Sequence, residues 1–136
     1  MRRFLLAAAA AFTALSGAAF AEEVLATGTF EDSRQHDGQG TASIVKLDDG
    51  RTVVRLSEDF RTDRGPDLKV WLVEDQVVTA SDVTDDNYVS LGGLRRARGA
   101  GEYEIPADID VSNYREVVIW CRAFRVLFTS AELSDA

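Results

Sequence analysis

The chain has 136 residues, of which 15 are basic and 23 acidic, giving a formal net charge of −8, with one His, one Cys and one Met. So acidic a balance argues against nucleic acid or anionic lipid as a partner. One His and one Cys are too few for a type-one copper site, a four-ligand structural zinc site or an intramolecular disulfide, and no C-x-x-C-H haem attachment is present.

Arg2 and Arg3 precede an almost unbroken apolar run from Phe4 to Phe12, which Ser16 and Gly17 interrupt. Ala19-Phe20-Ala21 then supplies a small-x-small cleavage site, so residues 1–21 read as a signal peptide removed after Ala21. The run is too short and too Ala-rich for a spanning helix, and no Cys near the site offers a lipid anchor. The expected mature domain is 22–136, a length suited to one core. It keeps thirteen basic and 23 acidic residues, a formal −10, and no Met. A periplasmic or secreted location follows.

The mature part reads as short strands and turns. Val24 to Phe30 is a first strand, followed by a polar loop, Asp32 to Gly40, that holds His36. Thr41 to Leu47 and Arg51 to Leu56 form a hairpin about Asp48-Asp49-Gly50, since Asp-Gly suits the positive φ of such turns. Ser57 to Asp67 is a loop. From Leu68 to Val73 the chain alternates, with Leu68, Val70 and Leu72 on one face and Lys69, Trp71 and Val73 on the other. Thr79 to Asn87 is polar, with room for one helical turn. Tyr88 to Leu91 and Glu102 to Ile105 flank a Gly- and Arg-rich connection, and Pro106 to Asn113 is irregular. Val117, Ile119 and Cys121 share one face of the next strand, Val118, Trp120 and Arg122 the other. Val126 to Phe128 is the last strand. No sustained helical period occurs. The expected fold is all-β: a single-domain β-sandwich or open barrel of about seven or eight short, mainly antiparallel strands.

Ordered pieces of this sequence resemble the DM-thirteen domain family. They are Gly28-Thr29-Phe30, Gly40-Thr41-Ala42, Asp59-Phe60, Gly65 to Leu72, Tyr88 to Gly92, Tyr103 to Pro106, Tyr114, Val118 to Cys121, Phe124, Val126 to Phe128 and Ala131. The resemblance covers essentially the whole mature chain. It implies an exported β-domain with an electron-transfer role, in which the family's characteristic Cys, here Cys121, is a redox thiol or a ligand to a prosthetic group such as haem.

Cys121 itself has two readings. Arg122 and Arg125 lie close by and favour a reactive thiolate, whereas free Cys also serves as a small buried core residue. Its place just before the polar break at Arg122 predicts a thiol at the sheet rim, open to solvent. Trp120 and Trp71 either flank a flat cofactor or fill a half-buried sheet face. Together Cys121, Trp120, Arg122 and Arg125 are the cofactor-binding candidates. Any haem would be non-covalent, with the Cys121 thiolate as axial ligand. His36 is either an axial ligand or proton donor, or a solvated loop residue. Arg95, Arg96 and Arg98 are the one basic cluster, either an anion or acidic-partner site or a mobile Gly-rich loop. Asp82, Asp85 and Asp86 lack EF-hand spacing and read as a solvated loop, and Asp67 as a turn residue. No nucleophile elbow or phosphate-cradling Gly loop is present, and no metal site is expected. The reading is an exported domain with a redox role centred on Cys121, not a stand-alone enzyme, acting on a protein redox or surface partner. The alternatives are a non-catalytic binding or adaptor domain with Cys121 in its core, and a homodimer joined through Cys121.

Overall fold

The computed structural model describes residues 21–136. The expected signal peptide, apart from Ala21, lies outside the described residues. The strands are β1 (Glu23–Asp32), β2 (Gly38–Gln39), β3 (Thr41–Lys46), β4 (Thr52–Leu56), β5 (Arg61–Thr62), β6 (Leu68–Val73), β7 (Tyr88–Gly93), β8 (Gly101–Ile105), β9 (Glu116–Cys121), β10 (Val126–Glu132) and β11 (Ser134–Asp135). Single 3-10 turns occur at Ala80–Asp82 and Val111–Asn113. No described helix is long and apolar enough to cross a membrane.

The main sheet runs β7-β6-β9-β10-β1-β3-β4-β8, with β11 beside β1, and β2 and β5 form a separate ribbon. Every pairing is antiparallel. The two ends of this order, β7 and β8, approach each other without pairing, so the sheet curls into a nearly closed barrel. The expected all-β architecture is therefore present, in its barrel form. The β3–β4 hairpin also stands where the Asp-Gly turn places it, with Gly50 at φ 89°. β1, β10 and β7 carry bulges that bend the sheet. Bulges shift the two-residue alternation. That shift is why Phe128 and Ala131, three residues apart on β10, both face the barrel core. Gly40 makes the β2–β3 corner: its φ is 95°, and a Cβ there would stand 2.6 Å from the Phe60 Cα.

Two apolar clusters follow from the alternation of β6 and β9. Leu68, Val70, Leu72, Val117, Ile119 and Cys121 point into the barrel with Phe30, Ile44, Val54, Leu56, Phe60 and Phe128. Trp71, Val73, Val118 and Trp120 point outward, joined by Leu127 and by Val77 from the covering segment between β6 and β7. β9 is consequently buried along its whole length. Each large aliphatic side chain so removed from water contributes about 1.5–3 kcal/mol before conformational entropy is set against it.

Cys121 corrects the sequence expectation. The thiol is not at an open rim: its exposure is 0%, and it belongs to the barrel core. The reason is the neighbouring strands. Cys121 pairs across β9 with Leu68 of β6 and with Val126 of β10, so it is covered on both sides although it ends its own strand. A buried thiol in this position has no surface on which to join two copies. The homodimer through Cys121 is thus at odds with the fold.

Glu116 opens β9 and is only 2% exposed. Its Oε1 accepts the Val77 backbone N–H at 3.2 Å, while Oε2 has no partner among the described residues. Burial pushes its carboxyl up to about 7, against the smaller opposing effect of that hydrogen bond. The neutral acid is thus the form the fold prefers.

Three outcomes follow. In the folded protein Cys121 should react with a thiol reagent on the order of a thousandfold or more slower than in denaturant, because the reaction waits for opening. Cys121→Ser should lower stability by about 1–3 kcal/mol through an unmet buried hydroxyl, read from urea midpoints. For Glu116 the folded pKa exceeds the unfolded one, so its contribution is complete below the ordinary carboxylate value and lost as pH rises through about 7. Glu116→Gln should remove about 3 kcal/mol of that decline between acid and mildly alkaline pH. Parallel stability–pH curves for the two proteins would contradict it.

Candidate functional site

The outward face of β6 and β9 gathers the aromatic residues. Register sets Trp71 opposite Val118, and Lys69 opposite Trp120. On the other side of β6, Val73 pairs with Tyr88 of β7. The Trp71 ring is stacked between two others: Tyr88 at 3.8 Å between centroids with 14° between planes, and Trp120 at 5.3 Å with 18°. Offset stacking of this kind is favourable beyond the area it buries.

The covering segment between β6 and β7 is fastened by polar side chains. Asn87 donates to the Asp75 carboxylate and the Asp82 carbonyl, and its own amide oxygen accepts from Thr84 N–H at 2.9 Å. Asp82 accepts the backbone N–H groups of Thr79 and Val78, both at 2.9 Å, which hold its carboxyl below the usual range. Asp82 is thus a cap for the 3-10 turn. Among the described residues no group of three His, Cys, Asp or Glu is arranged to hold a metal ion.

Between this segment and the sheet lies a cleft of about 620 Å³, lined by Trp71, Tyr88, Trp120, Arg122 and Arg125 together with Ala80, Ser81 and residues 83–85. Arg122 and Arg125 come from the β9–β10 turn, where Arg125 holds φ 54°, an uncommon conformation for a residue with a long side chain. Phe124, at the tip of that turn, is 68% exposed. Trp71 is 6% exposed, and its indole N–H has no acceptor among the described residues.

Three of the four cofactor candidates, Trp120, Arg122 and Arg125, therefore meet in one cleft. The fourth does not join them. Cys121 lies on the opposite face of β9, packed in the barrel core. It does not fit the part of a haem axial ligand, because a macrocycle needs open space beside the sulfur and none reaches it.

The other singled-out residues have defined partners, and Asp67 is the turn residue at the entry to β6 that its position implies. His36 is half-buried, stacked on Phe128 at 3.7 Å, with Nδ1 2.9 Å from the Asp63 carboxylate. That bond is the main reason Asp63 sits below the usual carboxylate range. Asp67 pairs with Lys69, and its carbonyl accepts Arg122 N–H. The Arg95–Arg98 connection is tied down by three backbone hydrogen bonds, Leu94 N–H to Leu68, Thr62 N–H to Ala97 and Gly99 N–H to Phe60. Sequence reasoning missed Tyr88 and Glu116. The pairing of β7 with β6 brings in Tyr88, and strand pairing is invisible to a one-strand alternation; Glu116 was hidden by its charge.

The family model described as electron transfer DM13 matches residues 29–133. That span holds the end of β1 and every strand from β2 to β10. Neither a curated protein nor a solved structure matches the chain. The match takes in the aromatic cleft, both its arginines and the buried cysteine alike, and the chain belongs to the electron transfer DM13 family.

Proposed function

We propose that this chain is an exported electron-transfer domain whose working face is the cleft of Trp71, Tyr88, Trp120, Arg122 and Arg125. The stack of three aromatic rings carries the reading. Indole and phenol rings can each give up one electron and share the resulting charge over the ring. Rings in contact give an electron a short path between a docked group and the sheet. Arg122 and Arg125 fit the carboxylates or phosphates of an anionic redox group or partner. Export rests on the N-terminal pattern of Arg2, Arg3 and the apolar run.

The cysteine-centred form of this role needs Cys121 to be reached by opening of the Arg122–Arg125 turn, since the closed fold shields the sulfur. The second reading is a non-catalytic binding domain in which Cys121 is a core residue. The 0% exposure of Cys121 favours it.

Flavin mononucleotide, planar, anionic and redox-active, is a suitable probe. It should quench the tryptophan fluorescence saturably. Arg122→Ala combined with Arg125→Ala should weaken binding by about tenfold or more through the loss of two charge-assisted contacts. Cys121→Ser should leave it unchanged. Quenching that never saturates, or that ignores the arginine substitutions, would remove this cleft as the working face. Loss of binding in Cys121→Ser with the fold intact would return the role to the thiol.

A further inference from the structure

A second cleft, of about 630 Å³, opens between residues 64–69 and residues 93–98. Arg64 and Lys69 stand on one wall, Arg95, Arg96 and Arg98 on the other, with Leu68 and Leu94 between them. Asp67 is the one carboxylate in the lining. Five cations and one carboxylate make a local excess of four in a chain of formal charge −8, leaving −12 on the remainder. Asp67 is already engaged with Lys69 at 3.2 Å. None of the four guanidinium groups has a carboxylate within ion-pair distance among the described residues.

The arginine wall is also preorganised and loaded with repulsion. Arg95 lies over the Tyr103 ring, its guanidinium carbon 4.3 Å from the centroid, and donates to the Glu102 carbonyl. Its backbone N–H donates to the Tyr103 hydroxyl at 3.0 Å. Arg98 stands opposite Arg61 in an antiparallel bridge. Like charges directly opposite each other on paired strands are unfavourable. Backbone hydrogen bonds hold this segment to Leu68, Phe60 and Thr62, so the arginines project from a fixed backbone.

We propose that this cleft is a binding site for a small polyanion, a molecule bearing two or more phosphate or carboxylate groups. Guanidinium groups on facing walls suit multidentate oxyanions. The volume falls within the range of small-molecule sites. The surrounding negative charge disfavours a broad acidic protein surface but does not bar a small anion that enters the cleft. The site is separate from the aromatic cleft, and its proposal does not depend on the electron-transfer reading.

Calorimetric titration of the purified chain with tripolyphosphate and, in parallel, citrate tests this and separates phosphate from carboxylate ligands. Saturable binding of at least one, weakened by high salt, is expected. Arg96→Ala with Arg98→Ala should weaken it by about tenfold or more. Arg115→Ala, at a paired surface arginine elsewhere, should not alter it. If the double substitution disturbs the β-sheet circular dichroism, Arg64→Ala on the facing wall decides instead. No saturable binding of either anion, binding that ignores the cleft substitutions, or equal loss in Arg115→Ala would each overturn the proposal. So would tight binding of a deca-glutamate peptide without binding of the small anions.

Discussion

Between β6 and β10, strand β9 has both of its faces covered, and each face must be covered by different material. The inner face meets the barrel core, where aliphatic side chains from the far strands reach it. Among the described residues no strand layer lies over the outer face. It is closed by stacked aromatic rings and by the segment from Glu74 to Asn87. Remove the two-sided burial of β9, and the core loses Val117 and Ile119 at the same time as the stack loses Trp120. The buried thiol, the aromatic cleft and the elevated carboxyl of Glu116 are thus consequences of one strand's position.

The same constraint explains what a reader of the sequence can and cannot see. Alternation in Leu68–Val73 and Val117–Cys121 assigns each side chain to its correct face, because strand geometry is local. The β3–β4 hairpin is equally plain, since Asp49-Gly50 specifies its own turn. Exposure of Cys121 was misjudged because burial at a strand end is set by neighbours: Leu68 and Val126 flank it, and neither is near it in the pattern of its own strand. His36 was taken for a solvated loop residue for a similar reason. Phe128, on which it stacks, reaches the ring through a bulge in β10. The ribbon of β2 and β5 escapes detection too, as two-residue strands carry no period.

Charge is distributed with as much structure as the apolar residues. On the outer surface of β4 and β8, guanidinium groups sit among carboxylates. Arg55 bridges Glu22 and Glu102, and Arg51 reaches Asp49 and Glu104. Exposed pairs of this type contribute little to stability. With two cations among four carboxylates, that wall of the barrel stays negative. Six guanidinium groups without a carboxylate partner among the described residues, those of Arg64, Arg95, Arg96, Arg98, Arg122 and Arg125, line the two clefts near the Leu68 and Cys121 ends of β6 and β9. An acidic protein thereby presents positive charge at one end of its sheet.

The barrel is not fully closed, and the gap between β7 and β8 leaves two strands each with one unpaired edge. Open edges are templates for adding further strands from other molecules. Here both edges belong to consecutive strands joined by the connection from Leu94 to Ala100, which is pinned across the barrel end. β7 finishes in Gly92 and Gly93, with Gly92 at φ 105°, a conformation that cannot continue a flat ladder. β8 alternates Glu102 and Glu104 with its buried residues, so stacked copies would bring carboxylates together. The seam that keeps the sheet from sealing itself is thereby a poor seed for fibrils, and a concentrated solution of this protein should resist the edge-to-edge polymerisation to which open β-sheets are prone.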